Sequence, residues 1–272
     1  MEKGFLSYKN SLIEYRKSAK KDKLLILFHG FGDKAALFEP IFPALEKEFE
    51  VWALSFPYHG ESQWNEGLFS KDDIVNIIQE ILSISGKDKF SLLGYSMGGK
   101  VALNMLVRFS QQIDQLFLLA PDGIKTHRLY DIHNLPEVFI RLFKSLMKRP
   151  KLFFKIATMA YRSGLLTKFL FDFTKNHFST AEQRTRFFMV ADSIRTFKPD
   201  LEKVKSIINA EKIKVTLFLG KRDEVILPEV AEVFSVGLST CEVIWLNRGH
   251  LLIDVDLNNR FEDIFKSHSF HS

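Results

Sequence analysis

The stretch "LLGYSMGGKVAL", residues 92–103, brackets a single serine with glycines directly after an apolar run. Gly94 stands two residues before Ser96, Gly98 two after, and Gly99 follows at once. A strand that turns sharply and restarts as a helix brings backbone segments too close for Cβ atoms, which is where glycine is needed. The amides of the new helix then point toward whatever forms at the serine. The pattern therefore reads as strand, turn and helix with an exposed hydroxyl. Short patterns recur by chance, so the surrounding chain has to supply the rest of the chemistry.

Working outward, apolar runs ending in turn residues read as strands: "SLIEYRKS" (11–18), "LLILFHG" (24–30), "FEVWALSF" (49–56), "FSLLGYS" (90–96) and "QLFLLA" (115–120). Two more, "IKVTLFLG" (213–220) and "CEVIWLN" (241–247), come late. The first two are expected to be joined by the tight turn at "AKKDK". In "KDDIVNIIQEILSI" (71–84) the apolar residues Ile74, Ile77, Ile78, Ile81 and Leu82 fall on one helical face. "GKVALNMLVRF", "PEVAEVFSVG" (with Pro228 in its first turn) and "NNRFEDIFKSH" read as helices too. Apolar strands alternating with helices predict an α/β fold, a mostly parallel sheet covered on both faces.

The alternation stops between about residues 124 and 210, where the chain reads as helices with apolar positions such as Val138, Phe139, Leu142, Phe143 and Leu146. From Lys125 to Asp200 there are 15 Lys/Arg against 6 Asp/Glu, so this segment carries +9 of a total of +5 and the remainder is acidic. It also holds 11 of the 27 phenylalanines. Three readings fit: a solvated basic face over a packed apolar one, a lid meeting an apolar substrate with an anionic group, or attraction to an anionic membrane surface or nucleic acid. No nucleic-acid motif is present. The 46% hydrophobic and 26% charged content is that of a globular protein. The single Cys241 excludes an internal disulfide and reads as a strand filler. Polar N-terminal residues and the lack of a membrane-length apolar run predict a cytoplasmic location.

A serine hydroxyl is a weak nucleophile and needs a base. His250, in "NRGHLL", follows the last strand, and Asp223, in "GKRDEVILP", follows the one before it. The order Ser96, Asp223, His250 is that of nucleophile, acid and base in this architecture. Asp122, in "LLAPDG", follows the strand after Ser96 and is the other candidate acid. The turn "HGFGD" (29–33) could supply an oxyanion donor from the Phe31 amide beside that of Met97. His29 is expected to shape that turn, Asp33 to be a turn or cap residue, and His59 to be a loop residue or to line a pocket mouth. His268, His271 and the other histidines lack metal-site spacing, so no metal or organic cofactor is expected.

With "HGFGD", "GYSMGG", "GKRDEVILP" and "RGH" in this order, the sequence resembles the α/β-hydrolase fold over about residues 20–124 and 210–268. The resemblance implies a core at 1–124 and 210–272, an inserted helical cap at 125–209, and a serine hydrolase acting on a carboxylic ester. Other reactions on the same scaffold are carbon–carbon hydrolysis, lyase chemistry, or binding without catalysis. "GYSMGGKVAL" also resembles the elbow of the menaquinone-pathway synthase of this fold, with Lys100 where that enzyme has arginine. One loop departs: in "SFPYHGES" (55–62), Ser55 and Tyr58 replace the usual aspartate and first glycine.

Overall fold

The structure, a computed structural model, describes residues 1–125 and 137–269. The side chains of Phe139 and His268, and all of His271, lie outside those described. The strands are β1 (Glu2–Tyr8), β2 (Ser11–Lys17), β3 (Lys23–Phe28), β4 (Phe49–Leu54), β5 (Phe90–Tyr95), β6 (Ile113–Leu119), β7 (Lys214–Gly220) and β8 (Cys241–Leu246). They form one sheet in the order β1-β2-β4-β3-β5-β6-β7-β8. From β4 to β8 every pairing is parallel, whereas β1 and β2 are antiparallel additions at one edge.

The expected turn between 11–18 and 24–30 does not make a hairpin. β2 pairs with β1 and β4, and β3 lies between β4 and β5. The true hairpin is β1–β2, closed at Lys9, whose φ of 51° makes the tight reversal. β1 escaped the sequence reading because "EKGFLSY" exposes most of its residues, as an edge strand does. The inner strands behave as expected: β4 and β5 are buried along their whole length, which continuous apolar runs require in a sheet covered on both faces.

The helices are α1 (Phe42–Glu48), α2 (Lys71–Ser85), α3 (Met97–Arg108), α4 (Glu137–Met147), α5 (Pro150–Arg162), α6 (Lys168–Phe178), α7 (Ala181–Ile194), α8 (Leu201–Glu211), α9 (Val230–Ser235) and α10 (Val255–Ser269). A 3-10 turn at Ala35–Ile41 precedes α1; neither was foreseen. α2 starts with a reciprocal cap between Ser70 and Asp73 and ends on Gly86 in the left-handed region, burying Ile74, Ile77, Ile78 and Ile81. α9 is shorter than its sequence suggested. Pro228 sits in the turn before it, where its carbonyl accepts from the Ala231 amide. Among the described residues no helix is long and apolar enough to cross a membrane.

The chain divides into two compact units: Met1–His127 with Thr196–Ser272, and Arg128–Arg195. α8, inside the stretch expected to be inserted, belongs to the first unit, where it packs on α3 with Val204 and Ile208 fully buried. The second unit contains α4 to α7. Its centre is a cluster of rings in which Phe178 meets Phe143, Phe153, Phe173 and Phe187 at centroid distances of 4.6–6.1 Å, largely edge to face.

Because β3 lies between β4 and β5, the chain runs outward from the β3–β5 pair in opposite directions. Such a reversal leaves a crevice at the carboxyl ends of the two central strands. The turn after β3 and the turn holding Ser96 both open there.

Candidate active site

Ser96 has φ 50° and ψ −117°, a strained conformation for a residue with a side chain. The glycines around it explain how the strain is held. A Cβ on Gly98 would stand 2.0 Å from the Phe28 carbonyl oxygen, and one on Gly94 would stand 2.5 Å from the Gly98 oxygen. α3 therefore starts pressed against the ends of β3 and β5, and Ser96 is lifted out of the turn, half-buried. Met97 is the first residue of α3, and Phe31 lies in the turn closed by the Asp33 amide on the Gly30 carbonyl.

The structure brings Ser96, His250 and Asp223 together. Nε2 of His250 lies 3.0 Å from Ser96 Oγ, and Nδ1 lies 2.8 Å from Asp223 Oδ2. Asp223 is buried, and its Oδ1 accepts from the amides of Val225 and Ile226 at 2.8 and 2.9 Å. One oxygen is thus fixed by the backbone and the other by the imidazole. With Asp223 on Nδ1, that nitrogen carries the proton and Nε2 presents its lone pair to the serine. Asp122 instead accepts from the Gly123 amide and from Lys100 Nζ at 2.6 and 3.5 Å. Lys100, the position compared with an arginine above, is buried beside that carboxylate.

The loop carrying His250 is fastened from two sides. A Cβ on Gly220, at the end of β7, would lie 2.5 Å from the Gly249 oxygen, and the Arg222 amide donates to the Arg248 carbonyl at 3.0 Å. Arg248 also pairs with Asp254 and, at 3.0 Å, with Asp256. Tyr95 supports the ring from below: its hydroxyl donates to the His250 carbonyl at 3.2 Å and the two rings lie 5.5 Å apart. Burial, with Asp33 and Asp223 nearby, pushes the Tyr95 phenol upward, so it stays a donor.

The Asp33 carboxyl lies beside Gly30, where a Cβ would stand 2.9 Å from its Oδ2, and within electrostatic reach of Tyr95 and His250. Burial pushes its pKa up to about 6, against the opposing pull of His250. The sequence offered only the turn, since nothing in "HGFGD" indicates where this carboxyl faces. His29 is fully buried: Nε2 accepts from the Phe56 amide at 3.0 Å and Nδ1 meets the Gly30 carbonyl at 2.6 Å. Burial, then the neighbouring His59, hold His29 well below the usual histidine range, so it is a neutral strut for the turn. His59 is buried as well, edge-on to His29 and under the Phe31 ring, so it does not line a mouth.

The departing loop resolves with a substitution of partners. Ser55, where an aspartate was expected, donates to Glu14 Oε2 at 2.9 Å, and the same oxygen accepts from the Glu61 amide. β2 thus supplies the carboxylate that the loop lacks. Tyr58 takes φ 68° in place of the usual glycine.

A serine hydrolase-like protein of Mus musculus is 30% identical over 103 residues, 37% of this chain and 33% of that protein, so the match spans about a third of the relative. A serine hydrolase of the polyaromatic hydrocarbon-degrading bacterium Cycloclasticus zankles superposes with a TM-score of 0.70 at 17% identity, covering 98% of both chains. A meta-cleavage product hydrolase of Pseudomonas fluorescens IP01 gives 0.61 at 19% identity over 94% of this chain and 93% of that one. These two likenesses are of fold. A family model described as alpha/beta hydrolase fold matches residues 23–239. With that match covering most of the chain, and with a parallel sheet that carries the strained serine turn at its reversal point, the chain belongs to the α/β-hydrolase fold family.

Proposed function

We propose that the protein is a serine hydrolase that cleaves a carboxylic ester through an acyl-enzyme on Ser96. One observation carries this reading: the continuous array from Ser96 Oγ through the His250 ring to Asp223, with contacts of 3.0 and 2.8 Å. Ser96 Oγ attacks the ester carbonyl carbon while its proton passes to His250 Nε2. Buried Asp223 stabilises the imidazolium that forms. The amides of Phe31 and Met97 receive the oxyanion, each worth about 3–4 kcal/mol by comparison with other oxyanion donors.

Collapse of the tetrahedral intermediate breaks the bond to the alkoxy oxygen, which leaves as the alcohol with the proton from His250. Water then attacks the acyl carbon as His250 takes a proton from it. The acid departs, and the proton returns to Ser96. The family relation and the serine hydrolase-like relative agree with this chemistry. The acyl group proposed is small or medium in size.

A panel of p-nitrophenyl esters of rising chain length tests the reading. Turnover of at least one ester that falls about 10⁴-fold or more in Ser96→Ala is expected. Turnover that survives the substitution would contradict it. A reactive Ser96 with no ester hydrolysed would favour carbon–carbon hydrolysis or lyase chemistry on the same groups.

A further inference from the structure

The helical unit Arg128–Arg195 carries a surface that ester hydrolysis does not call for. Residues 138–171 contain eight Lys/Arg and no Asp or Glu. Within 138–165 lie seven of the sixteen exposed large hydrophobic side chains found among the described residues. The two features share one helix. Along α5, Leu152, Ile156 and Met159 stand at i, i+4 and i+7 and are 43%, 46% and 61% exposed. Phe153 and Ala157 on α5 are buried, and the exposed stripe runs along the edge of that packed face, about 100° round the helix, with Ile156 also lining the apolar pocket that Phe153 and Ala157 line. Beside that stripe Lys151, Lys155 and Arg162 are exposed, and none of them forms an ion pair among the described residues. Lys148 and Arg149, at the entry to α5, are exposed and likewise unpaired among those residues. Val138 and Leu142 on α4, and Leu165 after α5, are 66%, 65% and 83% exposed.

Aliphatic side chains left in water in a row, edged by cations that form no ion pair among the described residues and set in a run of sequence without Asp or Glu, match a surface that is apolar inside and anionic at its face. We propose that α5 of this unit binds the surface of an anionic lipid membrane, with Leu152, Ile156 and Met159 entering the acyl boundary and Lys151, Lys155 and Arg162 meeting the headgroup phosphates. A purely electrostatic partner such as a nucleic acid would have no use for the aliphatic row. A second copy of the chain meeting this one through the same face would bring like cations together. The proposal stands apart from the reaction at Ser96 and needs no turnover for its test.

Cosedimentation of the full chain with vesicles of phosphatidylcholine alone, or with about one third phosphatidylserine, is the experiment. Binding at least tenfold stronger to the anionic vesicles, and weakened by 0.5 M sodium chloride, is expected. Leu152→Ser/Ile156→Ser/Met159→Ser should lose most of the binding that persists in salt. Lys151→Gln/Lys155→Gln/Arg162→Gln should lose the preference for anionic lipid. The cation positions are exposed, so that variant should melt like the wild type; the serine variant gives up partly covered aliphatic side chains, and a melt checks that it is folded at the temperature of the binding assay. Equal pelleting with both vesicle types, absence of pelleting, or variants that bind like the wild type would overturn the proposal. A dimer in sedimentation velocity that the serine variant abolishes, without vesicle binding, would overturn it in favour of self-association.

Discussion

The two units bury their apolar residues by different means. In the sheet unit, β3 to β7 stack aliphatic side chains such as Leu25, Ile26, Leu92, Leu118 and Leu217 at zero exposure, and glycines set how closely strands and helices approach. The helical unit has no strand among its described residues and gathers phenylalanine rings, while a large part of its aliphatic surface stays in water. A sheet with backbone contacts near 2–3 Å of a missing Cβ tolerates almost no change at those points. A ring cluster between short helices can re-pack. Chemistry that needs atoms held within a few tenths of an ångström belongs on the first kind of scaffold, and a surface that adapts to a ligand or a membrane suits the second.

The largest effect should separate the two candidate acids of the sheet unit. Asp223→Asn should cut ester turnover about 10⁴-fold, as loss of the orienting carboxylate does in other triads. Asp122→Asn, at a carboxylate occupied by Lys100 and its own loop, should change turnover less than about threefold. Steady-state rates on a single p-nitrophenyl ester decide between them. Equal losses would place the acid elsewhere.

Next comes a contrast of glycines. Gly98→Ala drives a Cβ into the Phe28 carbonyl and should destabilise by about 4 kcal/mol or more. Gly164→Ala meets nothing within 4 Å, but its φ of 75° should cost about 1 kcal/mol. Urea midpoints measure both, and similar values would contradict the contrast. Phe178→Ala, at the centre of the ring cluster, should cost about 3–5 kcal/mol. If the units open independently, hydrogen-exchange protection falls in 137–194 and not in β5 or α3. Loss throughout the chain would make the molecule one cooperative body.

The smallest effect concerns Asp33, raised by burial from the usual 3.8 to about 6. The folded state holds this proton more tightly than the unfolded chain, so stability falls as pH rises from about 4 to 6, and the penalty remains above 6. Asp33→Asn removes it. A gain on the order of 1–3 kcal/mol at pH 8, and none at pH 4, is expected from melts at the two values. An equal gain at both would assign the effect to shape alone.

How much of this was legible beforehand follows the same division. The parallel sheet and the three converging groups could be read because continuous apolar runs, crowded glycines and loop residues after strands each have a local cause. The rest depended on distant partners. β1 hides behind an exposed pattern, β2 pairs with β4 and not with the strand that follows it, and Ser55 is completed by Glu14 from another strand. Asp33 could be read as a turn residue, but its approach to Tyr95 and His250 depends on segments more than 60 and 200 residues away. In the helical unit, composition announced phenylalanines and cations, while only the coordinates separate the rings that are packed from the aliphatic row on α5 that is not.

The relay among Ser96, His250 and Asp223 is the centre of the functional reading, and a fluorophosphonate probe followed by peptide mass spectrometry examines it most directly. One phosphonyl adduct on the peptide containing Ser96 is expected, absent in Ser96→Ala and strongly slowed in His250→Ala. An unlabelled wild-type protein, or an adduct on another residue that persists in both variants, would contradict it.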